Sequence, residues 1–182
     1  MKKMLTLSLL TGLLVSLSFS QFTTGTKSVS SVFSYSSTKD HKDDDDAITL
    51  TQINPTGSYF VKDNIAVDVA IDLITNAEGD NEMKQTNIGF GGTYYYPLES
   101  NTAVYGGAGF KMASVTFGDM DAVKMNMLNI KGGYLHGLAD NWYFDVGLSY
   151  NMQMGASKVG SEDGSEGASN MWLGVGIATF FN

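Results

Sequence analysis

The 182-residue sequence has no cysteine and no arginine, only two prolines, Pro55 and Pro97, and only two histidines, His41 and His136. Without cysteine there is no disulfide framework, no thiolate metal site and no lipoprotein anchor. With no arginine and nineteen acids against eleven basic residues, the clustered positive charge that binds phosphate backbones is missing, which argues against a nucleic-acid partner. Long apolar runs are also scarce. The clearest, residues 4–17, is interrupted by Ser and Thr and falls short of the about 20 residues a membrane helix needs. Lys2 and Lys3 precede it, and Ser18, Phe19 and Ser20 follow, which together make the three parts of an export signal. The reading is a signal peptide over residues 1–20 and one exported domain over residues 21–182. The exported part carries a charge of −10, from nine lysines and nineteen acids.

The exported part shows no convincing 3.6-residue period, so no helix is expected. It alternates instead. Ile65, Val67, Val69, Ile71 and Leu73 are interleaved with Ala66, Asp68, Ala70 and Asp72. The pattern returns at Trp142, Phe144, Val146, Leu148, Tyr150 and Met152, and again at Met171, Leu173, Val175 and Ile177. A period of two marks strands with unlike faces. Fainter versions run through Ile88 to Tyr96, Val104 to Met112 and Leu128 to Tyr134, with a first strand at Val29, Phe33 and Tyr35. Between Ile48 and Tyr59 the parity breaks, which a bulge near Gln52 or Ile53 would repair. Eight strands result, several about ten residues long, enough to cross a bilayer on a tilt.

The connections come in two kinds. VKDNIAV, LESNTAV and LADNWYF repeat one grammar, with Asn64, Asn101 and Asn141 spaced 37 and 40 residues apart, which identifies a repeated hairpin. Asp63 with Asn64, Ser100 with Asn101, and Asp140 with Asn141 form short turns, because Asp, Asn and Ser bond their own backbone and Asn tolerates left-handed φ. Between them lie longer polar segments at 38–46, 76–84, 118–124 and 155–169. Strict alternation of long and short sends the long loops to one end of a meander and the short turns to the periplasmic end.

Alternation alone leaves open whether the apolar face meets a core or lipid. The polar face is mostly Gly, Ala, Ser, Thr and Asn, which suits the narrow interior of eight strands better than a wet, charged exterior. Its few charges, Asp68, Asp72, Lys111, Lys131 and Asp145, can neutralise one another inside. The lipid face would be Ile65, Val67, Val69, Ile71, Leu73, Phe144, Val146, Leu148, Leu173, Val175 and Ile177. Tyr59, Phe60, Tyr94, Tyr96, Trp142 and Tyr143 cluster near the short turns, where an interfacial girdle is expected.

The stretch PTGSYFVKDNIAVDVAID, residues 55–72, resembles the hairpin signature of the small outer-membrane β-barrel domain family of Gram-negative bacteria. TYYYPLESNTAVYGGAGF, residues 93–110, is similar to that family's next hairpin. The likeness spans residues 28–181. It implies a porin-like or OmpA-like barrel without a defined activity, and it departs from the family in ending Phe180, Phe181, Asn182 instead of on an aromatic residue.

Chemistry has little to stand on. Asp43, Asp44, Asp45 and Asp46 could recruit Ca²⁺ or Mg²⁺, but four adjacent carboxylates do not converge on one ion, so the run reads as a solvated loop tip. His41 and His136 fall at opposite ends and cannot share a metal or a proton relay. No cofactor and no catalysis are expected. Thirteen acids gather in the long loops, giving a negative rim. The expectation is therefore an all-β, eight-stranded antiparallel up-and-down transmembrane β-barrel, monomeric, in the outer membrane, with a filled interior. Its acidic outer loops would meet lipopolysaccharide, bridged by divalent cations, or a cationic partner. The alternatives are a soluble lipocalin-like barrel with an apolar ligand, and a narrow cation pore lined by Asp68, Asp72 and Asp145.

Overall fold

The computed structural model describes residues 22–38, 48–79, 81–98, 101–118, 120–160 and 162–182. The export signal, the Asp43, Asp44, Asp45 and Asp46 run, His41 and Ser100 lie outside the described residues. Ten strands follow in chain order: β1 Lys27–Thr38, β2 Ile48–Lys62, β3 Ile65–Glu78, β4 Asn81–Pro97, β5 Thr102–Phe117, β6 Val123–Ala139, β7 Trp142–Gln153, β8 Lys158–Val159, β9 Glu162–Asp163 and β10 Ser169–Phe181. Each long strand pairs antiparallel with its neighbour in sequence, and β10 returns to β1. The eight long strands therefore form a closed ring, whose β1–β10 seam is paired from Lys27 opposite Phe181 to Phe33 opposite Val175. The short β8–β9 ribbon stands in the segment read as a plain loop and pairs onto β6 through Val123 and Lys124.

The three repeated asparagines do one job. The carbonyl of Asn64 accepts from the amide of Tyr95 at 2.8 Å, that of Asn101 from Gly137 at 2.7 Å, and that of Asn141 from Phe180 at 3.1 Å. Each turn therefore extends the ladder to the strand beyond its own hairpin, and the same grammar recurs at each of these places. Asn64 and Asn101 sit at φ 66° and 80°, the left-handed region that asparagine tolerates better than bulkier residues.

Two expectations need correction. The pairing of β1 with β2 runs without a shift from Lys27 opposite Tyr59 to Thr38 opposite Ile48, so no bulge stands at Gln52 or Ile53. Ile48 and Leu50 share the inward parity of Gln52 and lie half-buried at the outer end, where the lumen opens. The irregularities instead flank short turns, between Phe60 and Lys62 and between Gly137 and Ala139. The segment 76–84 is mostly strand: β3 and β4 run on to Glu78 and Asn81, with only residues 79 and 80 between them. At fourteen to seventeen residues, β3 to β6 exceed the about ten that a bilayer needs, so this side of the wall rises beyond the membrane.

Around the ring, the apolar residues of the alternating pattern point outward and are exposed. Ile65, Val67, Val69, Ile71 and Leu73 do so on β3, Phe144 and Leu148 on β7, and Leu173, Val175 and Ile177 on β10, with Val146 half-buried between its neighbours. From Ile65 to Leu73 the strand advances about 27 Å. Once tilted, that approaches the roughly 25 Å height of a barrel's apolar band. No Asp, Glu or Lys interrupts these runs. A continuous apolar belt of this kind has no counterpart on soluble monomers, whose apolar patches are a few hundred Å², and lipid is the solvent that suits it.

Candidate functional site

Two regions carry the polar chemistry: the lumen and the outer rim. The lumen is layered from the short-turn end upward. Its floor is aromatic, because Phe60, Tyr95, Tyr143 and Phe180 occupy inward positions of their strands and pack with Leu135 and the small Ala66, Ala103 and Ala178. Phe60 and Tyr143, expected in the interfacial girdle, are here fully buried. Each follows an outward neighbour, Tyr59 or Trp142, and alternation turns consecutive residues to opposite faces. Tyr59, Tyr94, Tyr96 and Trp142 do face outward.

Above the floor stand the charges. Lys131 Nζ reaches Asp68 Oδ2 at 3.0 Å, and the Thr93 hydroxyl donates to the same oxygen. Asp68 Oδ1 is buried without a partner among the described residues, beside a cavity of about 20 Å³ lined also by Lys111, Asn129 and Lys131, room for one water. Four residues further out along β3, Lys111 Nζ lies 2.7 Å from Asp72 Oδ2. Asn87 Nδ2 donates to that oxygen at 2.8 Å, and Asn54 donates to Oδ1. Asp72 is 1% exposed, so both the pairing and the amide donors are required to hold a charge there.

Asp145 departs from the expected network. It makes no ion pair within 4.0 Å among the described residues and accepts instead from the Tyr105 hydroxyl at 2.9 Å. That phenol reaches past β6 to β7 over Gly133 and Gly147, which face each other across these two strands. A Cβ at either glycine would come within 2.8 Å of the tyrosine ring or hydroxyl, so both positions are small to admit the ring. Asp145, Tyr105, Lys131, Ser30, Asn54 and Thr56 line a cavity of about 40 Å³, which holds a few waters and no lipocalin-sized ligand.

Nearer the outer end an amide ladder takes over. Asn129 Nδ2 donates to Ser149 Oγ at 2.7 Å and Asn151 Oδ1 at 2.8 Å, and Asn151 Nδ2 donates to Asn170 Oδ1 at 2.8 Å. Gln153 then ties down the last loop: its Nε2 donates to the carbonyls of Gly155 and Ser165, and its Oε1 accepts from Ala168 N. None of these amides stood out in the sequence. Their inward parity on strands already identified was the available signal.

The outer rim presents Glu78, Glu82, Asp121, Glu162 and Glu166 to solvent, with Glu82 paired to Lys84 at 2.7 Å. A groove of about 420 Å³ opens between the β3–β4 extension and the loop after β5, lined by Ile48, Glu78, Glu82, Phe117 and Met120 among others. Among the described residues no group of three metal-ligating side chains converges. At the opposite end lie Asp63, Asn64, Asn101, Asp140 and Asn141, in the turns expected of them.

No family model and no curated protein sequence matches the chain. Solved structures do. Neisserial surface protein A aligns with a TM-score of 0.61 at 17% identity, over 86% of this chain and 96% of that one. The outer membrane protein OprG of Pseudomonas aeruginosa aligns at 0.54 and 17%, over 88% and 97%. The N-terminal β-barrel domain of OprF from the same organism gives 0.56 and 13%, over 87% and 98%. At these identities the likeness is one of fold: the chain has the fold of the small outer-membrane β-barrels, and the lipid-facing belt agrees with it.

Proposed function

We propose that this barrel works at the cell surface as a structural or interaction protein, presenting its acidic rim to cations, and carries no bulk solute flux. One contrast supports the reading. Two lumen ion pairs cross-brace the interior, whereas the rim acids Glu78, Asp121, Glu162 and Glu166 are exposed on segments that rise beyond the belt. A rim of one sign attracts cations within about 10 Å at moderate salt. Divalent ions held there would bridge to the anionic groups of lipopolysaccharide, which surround an outer-membrane barrel at that height. The reading is non-catalytic: among the described residues the buried Asp68 and Asp72 are occupied by lysine and amide or hydroxyl donors.

The test is thermal unfolding in lipopolysaccharide-containing vesicles with and without calcium. Calcium at about 100 times its dissociation constant is expected to add about 2.7 kcal/mol. The combined variant Glu78→Gln, Glu82→Gln, Asp121→Asn and Glu162→Gln should lose more than half of that gain. An unchanged calcium response in that variant would refute the rim's role. A steady open conductance of the native protein in planar bilayers would refute the sealed lumen.

A further inference from the structure

The ring of strands closes without residues 22–26, yet these residues complete the aromatic floor. Phe22 is 3% exposed. Its ring stacks on Tyr95 at 5.2 Å, meets Phe180 edge-on at 5.2 Å, and lies 5.9 Å from Phe60 and 6.3 Å from Tyr143. The centre of the floor thus comes from a segment outside the wall. Directly above sits the 40 Å³ chamber with Asp145, whose lower lining is Tyr95, Leu135, Ala178 and Phe180.

We propose that residues 22–26 are a displaceable cork that seals this polar chamber from the periplasm. The polar attachments lie at the mouth. Asn64 N donates to Phe22 O at 2.7 Å, Gly25 N to Phe60 O at 2.8 Å, and Phe60 N to Thr26 O at 2.9 Å. Thr24 donates through both its amide, at 2.9 Å, and its hydroxyl, at 2.8 Å, to Asp63 Oδ1. The Thr26 hydroxyl donates to Asn182 Oδ1 at 2.6 Å. Of these, only the Phe60–Thr26 bond continues the β1–β2 register, by one residue; the others lie outside the strand pairing. Lifting the cork breaks local contacts and leaves every strand pair intact, the situation in which local opening precedes global unfolding.

The Asp63 latch has a pH signature. The Thr24 amide, then its hydroxyl, and more weakly the Lys62 charge hold the Asp63 carboxyl below its ordinary value of 3.8. A group with a lowered folded pKa stabilises fully above the ordinary value and loses that contribution as pH falls through the folded one. The cork is therefore held equally well from neutral pH down to the carboxylate range and loosens only in stronger acid. Asp63→Asn should abolish that acid-dependent component.

Because the chain has no cysteine, a Ser30→Cys variant places a single reporter thiol in the chamber wall. A small charged methanethiosulfonate is applied to the purified, folded barrel. With the cork native, modification is expected to be slow; adding Phe22→Ala should speed it about tenfold or more. Heat-modifiable gel migration confirms that the barrel is folded. If Phe22→Ala does not fold, Asp63→Ala removes the acceptor of both latch bonds without touching the aromatic floor, and the same acceleration is expected. Equal rates in the native-cork and loosened barrels, or fast modification with the cork native, would overturn the proposal.

Discussion

Lys111→Met is expected to destabilise the folded barrel by about 3–5 kcal/mol, the usual cost of leaving one member of a buried ion pair without its partner. Among the described residues, the other donors to Asp72 are the amides of Asn54 and Asn87, and water has almost no access to it. Removing the carboxylate as well, by Asp72→Asn in the same chain, should recover more than half of the loss, since two amides and an asparagine can satisfy one another. Lys131→Met should cost less, because that side chain is 25% exposed and its attraction to Asp68 is already partly screened by solvent in the folded protein. Urea unfolding in lipid vesicles, followed by the fluorescence of Trp142 and Trp172, measures all three. Unchanged midpoints for Lys111→Met would show that the pair does not brace the lumen.

That Asp72 and Lys111 both face the lumen could be anticipated, because parity places both on the inner face and a closed interior demands neutrality. Which acid meets which lysine could not, since that depends on stagger between β3 and β5, which are separated by β4 and 39 residues of chain. Asp145 shows the same limit. Its inward direction was legible from Phe144 and Val146 on either side, but its partner turned out to be a tyrosine admitted by two glycines on neighbouring strands. The bulge placed at Gln52 or Ile53 failed for a physical reason. A bulge is needed only if every apolar residue faces lipid, whereas Ile48 and Leu50 share the inward parity of Gln52 and lie half-buried at the outer mouth. Phe60 and Tyr143 lie near turns, as interfacial aromatics do, yet their parity turns them into the floor. Phe22 was unreadable as part of the floor because it lies outside any alternating run, and only the closed mouth gives it neighbours.

The outward direction of the apolar face is what separates a membrane barrel from a soluble one, and a charge placed at two depths tests it. Val69 is 62% exposed at the middle of the Ile65 to Leu73 run, whereas Val61 is 48% exposed beside the short turn. In lipid, Val69→Arg should cost about 2–4 kcal/mol and Val61→Arg about 0–1 kcal/mol, because the penalty for a guanidinium falls from the bilayer midplane to the interface. For a barrel in water both positions are surface sites, and both substitutions would stay within about 0.5 kcal/mol of neutral. The two environments thus predict different gradients along one strand, and the comparison is internal to the protein, so refolding efficiency and vesicle composition largely cancel. Urea titrations of the two variants in the same vesicles give the gradient directly. Equal small effects at both depths would mean that Val69 does not face hydrocarbon, and the cork, the rim and the filled lumen would then have to be reconsidered as parts of a soluble protein.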